Sequence, residues 1–107
     1  MYIVILITVS NKEESERIAH ELIKNKLVAC VNMLEGVTSL FWWEGKIDKA
    51  KEVLLVAKSK KEKLAKIIRC VKSLHSYEVP EIIALPIIGG NRAYLKWIDI
   101  SLAATSK

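Results

Sequence analysis

Hydropathy patterning predicts an α+β domain: one antiparallel sheet built in the order strand, helix, two-stranded hairpin, helix, strand, with a further helix at the C-terminus. Three observations carry that prediction. The chain opens on a β-branched apolar run, Tyr2 to Thr8, of the length of a strand buried on both faces. Two later segments show apolar residues at the 3–4 spacing of amphipathic helices, and two long extended stretches lie between them. With 107 residues and 51% hydrophobic content, a single domain covering residues 1–107 is expected, large enough for a real core.

Each element follows from local signals. Ser10 and Asn11 precede glutamates by three residues, at Glu13 and Glu14, which is capping-box chemistry, and Ser15, Ile18, Ala19 and Leu22 then form one helical stripe ending near Asn25. Leu27 to Met33 is extended. Glu35-Gly36 reads as a turn, after which Val37 to Trp43 is extended again and Glu44-Gly45 reverses the chain in a long β-hairpin. The return strand alternates Val53, Leu55 and Ala57 with Leu54 and Val56, the second face carrying Glu52 and Lys58 at its ends. Ser59 with Glu62 is expected to cap the second helix, whose stripe is Leu64, Ile67, Ile68, Val71 and Leu74. Glu81 to Ile88 gives the last strand, Gly89-Gly90 a turn, and Asn91 starts a final helix through Tyr94, Trp97 and Ile98.

That order is βαββαβ, the ferredoxin-like plan. Two helices cover one face of such a sheet, so a monomer should carry polar residues at alternate strand positions. Here Tyr2, Val4 and Leu6 alternate with Ile3, Ile5 and Ile7, leaving an apolar second face that a partner subunit, or in part the C-terminal helix, must cover.

Composition narrows the class. No apolar run approaches the ~20 residues of a membrane span, and the N-terminus lacks signal-peptide features, so the mature chain is expected to start at Met1. Cys30 and Cys70 stand in unrelated contexts, without metal or disulfide spacing, which makes the cytoplasm the expected compartment. The formal charge is +5, and seven of the seventeen basic residues fall between Lys58 and Lys72. A solvated helix face explains that cluster better than a nucleic-acid surface. No nucleic-acid or membrane partner is expected.

The densest chemistry lies in LHSYEVPEIIALPI, Leu74 to Ile87, where an imidazole, a phenol and two carboxylates precede an apolar run. His75 either ends a helix, where a cation suits the dipole, or supplies a base near neutral pH beside Tyr77 and Glu78. Both readings stand at this level. Cys30, between Ala29 and Val31, reads first as a small hydrophobe. Lys58 is either solvated or holds an anionic ligand, Glu78 and Glu81 either pair with charges or bind ligand, and His20 reads as surface.

Five segments in matched order, LVACVNM (Leu27 to Met33), FWWEGKI (Phe41 to Ile47), EVLLVAKS (Glu52 to Ser59), HSYEVPEI (His75 to Ile82) and YLKW (Tyr94 to Trp97), resemble the CutA divalent-cation tolerance family over almost the whole chain. The resemblance implies a ferredoxin-like subunit in a tight homotrimer, no established enzymatic reaction, and links to divalent-cation tolerance, copper binding and, by architecture, PII-like signalling. Carried over by position, it implies a ligand site on Cys30, Glu52, Lys58, Tyr77 and Glu78, and a metal site on His75 and Cys30. Trp42 and Trp43 have a more structural claim. Some relatives credited with copper ligands carry cysteine or histidine where this chain has Ile7 and Leu74, and Ser76 stands where proline is common. Copper favours imidazole and sulfur donors, and one histidine with one thiol makes only a weak site. No obligatory cofactor is expected, only weakly bound copper or another divalent cation, with a small anionic ligand or an unidentified protein as further partners.

Two other classes share the fold. An RNA-recognition domain needs stacking aromatics on its central strands, which EVLLVAK lacks, and an acylphosphatase-like enzyme would want an arginine in TVSNKEE, Thr8 to Glu14, which has none. The expected function is a binding or regulatory module in metal-ion response; the alternative is a small-ligand sensor or weak enzyme with an inter-subunit site using His75, Tyr77 and Glu78.

Overall fold

The computed structural model describes residues 1–103. Its elements run β1 (Tyr2–Val9), α1 (Lys12–Lys24), β2 (Cys30–Trp43), β3 (Lys46–Lys60), a 3-10 turn (Lys61–Lys63), α2 (Leu64–Leu74), β4 (Ile82–Pro86) and α3 (Arg92–Leu102). The four strands form one antiparallel sheet in the order β2-β3-β1-β4, the topology that the βαββαβ reading predicts.

Alternation decides which residues reach the core. Ile3, Ile5 and Ile7 of β1 and Val53, Leu55 and Ala57 of β3 point to one face and are buried beneath Ile18 and Leu22 of α1 and Ile67 and Val71 of α2. The stripe predicted for α1 is the buried one, with Glu14 added to it. Asn11 caps this helix, its Oδ1 accepting the Glu14 N–H at 2.8 Å. Lys26, at φ 56°, then turns the chain out, and the Leu27 N–H returns to the Leu22 carbonyl at 3.0 Å.

Three local expectations are corrected. Glu35-Gly36 is a β-bulge inside one continuous strand: the register shifts between Leu34 and Val37, and Gly36 takes φ 77°, which only glycine adopts freely. Ser59 caps nothing; it lies in β3, fully buried, and its hydroxyl donates to the Leu27 carbonyl at 2.6 Å, while α2 starts through the 3-10 turn without a side-chain cap. The last strand is shorter than Glu81 to Ile88, because only Ile82 to Pro86 pair with β1. The hairpin turn is as expected, with Glu44 and Gly45 both at positive φ, the two-residue geometry that matches strand twist.

On the second sheet face, α3 covers one end. Tyr2 donates its hydroxyl to Asp99 at 2.6 Å, Lys60 meets the same carboxylate at 2.9 Å, and Ile98 and Leu102 are buried there. The rest stays open: Leu34, Ile83 and Leu85 are each nearly half exposed. Beyond Val37 and Glu52 the hairpin projects as a two-stranded ribbon bearing exposed Leu40, Trp42, Trp43 and Ile47. That projection stretches the molecule to 48 × 30 × 22 Å and its radius of gyration to 14.6 Å, above the ~13 Å of a compact domain this size.

Candidate functional site

The residues after α2 are held by a chain of buried polar contacts. His75 ends the helix, its N–H returning to the Val71 carbonyl at 2.9 Å, and the chain then turns extended so that the ring drops into the core with no side-chain exposure. Its Nδ1 accepts the Tyr77 N–H at 3.0 Å, which leaves the proton on Nε2, 2.8 Å from the Thr8 carbonyl to which it donates. Glu14, from the first turn of α1, accepts the Ser76 N–H at 2.7 Å on Oε2. The same oxygen lies 3.5 Å from Nδ1, a contact without a shared proton in this tautomer. Tyr77 packs its ring against His75, centroids 4.7 Å apart, and donates its hydroxyl to Glu52 Oε2 at 2.8 Å. One polar path therefore joins α1, the loop and β3.

Burial, then the hydrogen bond and negative charge of Glu52, push the Tyr77 phenol up to about 12. It stays a donor at physiological pH. Tyr77 and Glu52 form the floor of a groove of about 900 Å³ between the outer hairpin and the 77–81 loop, walled by Phe41, Trp43 and Val79. Glu78 and Glu81 stand exposed on its rim.

Cys30 and Lys58 belong to a different place. They pair directly across β2 and β3, and the Lys58 ammonium bonds Asn32 Oδ1 and lies 3.9 Å from the Cys30 sulfur. Tyr94 of α3 closes over them, its phenol pushed up by burial and then by Cys30. Lys58 lies six positions along the strand from Glu52, about 20 Å at 3.3 Å per residue. The ligand set expected as one site is thus split: Glu52, Tyr77 and Glu78 share the groove, whereas Cys30 and Lys58 sit on the sheet face under α3.

Within the single chain the expected metal pair, His75 and Cys30, is not brought together either. Lys58, the partner of Cys30, lies opposite Val4, whereas His75 contacts Thr8, four residues along the same strand and about 13 Å away. Both imidazole nitrogens are also committed to backbone partners, so no lone pair is left for a metal or for accepting a substrate proton. Among the described residues no group of three or more His, Cys, Asp and Glu is placed to hold a metal ion. His20 is exposed, as expected, and Cys70 is half-buried, its thiol pushed up by burial and by Glu21.

Residues that the sequence reading passed over complete both places. Glu14 was legible only as a cap partner, yet it lies four residues before Ile18, on the apolar stripe, and a carboxylate there signals a buried partner. Thr8 and Phe41 had no distinguishing signal. Tyr94 and Asn32 become partners of Cys30 only through the folding of α3 and the strand register.

The family model described as CutA1 divalent ion tolerance protein matches residues 3–101. The chain is 48% identical over 99 residues to the chloroplastic protein CutA 1 of Oryza sativa subsp. japonica, covering 92% of this chain and 56% of that protein. It thus spans about half the length of the plant relatives it matches. It is 45% identical to the divalent-cation tolerance protein CutA of Thermus thermophilus, covering 89% of this chain and 92% of that one. The solved structure of the periplasmic divalent cation tolerance protein CutA from Archaeoglobus fulgidus superposes with a TM-score of 0.94 at 45% identity, over 96% of this chain and 100% of that one.

Proposed function

The chain belongs to the CutA1 divalent ion tolerance family, and from that premise we propose that it serves divalent-cation tolerance as a homotrimeric binding and regulatory protein rather than an enzyme. The observation that carries this reading is the state of His75. The motif's one imidazole is buried with both nitrogens spent on holding the 75–77 loop, so the loop shapes a groove and offers no general base.

Assembly is supported by what one subunit leaves uncovered. A two-stranded ribbon is marginal alone in water, and this one exposes Trp42, Trp43, Leu40 and Ile47, while the open sheet face exposes Ile83 and Leu85. Strands β2 and β4 are the sheet edges, and closing them against neighbours in a ring removes both liabilities. The number three comes from the family resemblance. Metal enters this reading weakly: with His75 committed and Cys30 distant from it, copper would need donors from more than one chain. Among the described residues no helix is long and apolar enough to cross a membrane. Cytoplasmic placement, expected from the cysteine usage, remains part of the proposal, although the rice relative is named chloroplastic and the Archaeoglobus protein periplasmic.

Small-ligand sensing of the PII-like kind is the second reading, favoured by the groove over Glu52 and Tyr77. Two measurements test the first. Sedimentation at micromolar concentration should give a trimer, and copper titration should give weak, exchangeable binding that is the same in wild type and His75→Gln. A well-behaved monomer, or nanomolar copper affinity lost with His75, would overturn it.

A further inference from the structure

We infer that the outer face of α2 docks an acidic, Asp- and Glu-rich segment of a partner protein, held by Lys66, Arg69 and Lys72 with Lys61 and Lys63 at one end.

Residues 61–72 carry five basic side chains against one acid, Glu62, and so hold nearly all of the chain's net +5. Lys61, Lys66, Arg69 and Lys72 are exposed, and Lys63 is half-buried. A spacing of three residues sets Lys66, Arg69 and Lys72 along one side of the helix over about 9 Å. Among the described residues no carboxylate pairs with any of the five. Through Ile67 and Val71 the helix packs onto the covered side of the sheet, so this stripe points away from the open sheet face and the hairpin that neighbouring subunits cover. Assembly leaves it in solvent.

Solvation alone does not ask for a single sign. Beside it α1 shows an ordinary solvated face, where Lys12, Glu13, Glu16, Arg17 and Lys24 are all exposed and mix the two charges. On α2 like charges three apart repel. Its start has neither a side-chain cap nor an acid in its first turn, while Lys61 and Lys63 stand against the positive end of the dipole. Each of these positions works against folding, which marks a surface kept for something else.

The neighbouring helix also selects the occupant. A nucleic-acid duplex or a membrane surface, broader than one helix, would meet Glu13 and Glu16 together with the cations. No aromatic or large aliphatic side chain is exposed on α2 for stacking on bases or entering lipid. A narrow polypeptide can follow the stripe alone, its carboxylates facing Lys66, Arg69 and Lys72 in turn.

The test compares a labelled decaglutamate peptide and a mixed-sequence DNA duplex by fluorescence anisotropy, and phosphatidylserine vesicles by flotation, with the full chain at about 0.15 M salt. The peptide should bind tightest. Reversing the stripe with Lys66→Glu, Arg69→Glu and Lys72→Glu together should weaken it about tenfold or more. Lys12→Glu, Arg17→Glu and Lys24→Glu on α1, the same change in net charge, should leave it within about twofold. Arg69→Glu alone should weaken the peptide and raise the thermal midpoint, because two like pairs become two opposite ones. Duplex or vesicles binding tighter than the peptide, with loss on reversing the stripe, would overturn the protein partner in favour of that surface. Equal loss in both triple variants, no peptide binding, or a midpoint that falls in Arg69→Glu would overturn the docking face itself, for then the cations serve net charge or folding.

Discussion

Replacing His75 with phenylalanine isolates the part of this structure that the motif conceals. Phenylalanine is a flat ring slightly larger than imidazole, so no cavity term enters, and what is lost is two hydrogen bonds: Nε2–H to the Thr8 carbonyl and the Tyr77 N–H to Nδ1. Each leaves a polar backbone group facing an apolar ring, at about 1–3 kcal/mol when desolvation is complete. Tyr77 is only half-buried, so water reaches its N–H in part and the expected total is about 2–4 kcal/mol. Glu14→Gln offers a scale for comparison. It keeps an acceptor for the Ser76 N–H and removes only the charge, so about 1 kcal/mol is expected. Urea denaturation should be run at one fixed protein concentration, since association shifts apparent stability, with hydrogen exchange read at the Tyr77 amide. The reasoning fails if His75→Phe costs under about 0.5 kcal/mol and that amide stays protected, for then the loop is held by packing alone.

Further outcomes follow from the same contacts. Ultraviolet titration should show one phenol ionising near pH 12, and Glu52→Gln should bring it down; because the folded pKa is raised, the associated stability is complete below the ordinary tyrosine range and lost as pH rises through about 12. Asp99 is held below the usual carboxylate range, first by the Tyr2 hydroxyl and then by Lys60, so its contribution is present above the unfolded value and lost as pH falls through the folded one. Tyr2→Phe should therefore move acid unfolding to higher pH, and superimposable curves would deny the bond a role. Ser59→Ala should cost about 1–2 kcal/mol in denaturation, since it strips the buried Leu27 carbonyl of its 2.6 Å donor; an unchanged midpoint would mean that another donor replaces it.

The fold was legible because its signals are local and redundant. Alternation along β1 and β3 and the 3–4 stripe of α1 each state which side faces inward, and they agree, so the sheet and its helix layer follow from period alone. Errors fell where one residue has two local meanings. Glu35-Gly36 has the composition of a turn, but a glycine at positive φ also makes a bulge, and only the pairing of Leu34 and Val37 with β3 distinguishes them. Ser59 has a hydroxyl at the right place for a cap, and it went instead to a carbonyl 32 positions away in sequence.

The site was half legible for a related reason. Nearness in sequence gathered His75, Tyr77 and Glu78, and likeness to a family added Cys30, Glu52 and Lys58, but a β-strand sends residues six positions apart about 20 Å from one another. Glu52 and Lys58 share a strand face and do not share a site. The partners that fix the chemistry of His75 are a carbonyl 67 positions upstream and a loop N–H, neither of which has a side-chain signature. An H-x-Y spacing looks like a base beside an acid because both side chains titrate. In the folded chain the same spacing does something else: it lets the imidazole accept from the backbone of the tyrosine two residues on, which aims the phenol across at Glu52. The histidine is thereby used up in positioning, and what reaches the groove from this path is the Tyr77 phenol and the Glu52 carboxylate to which it donates.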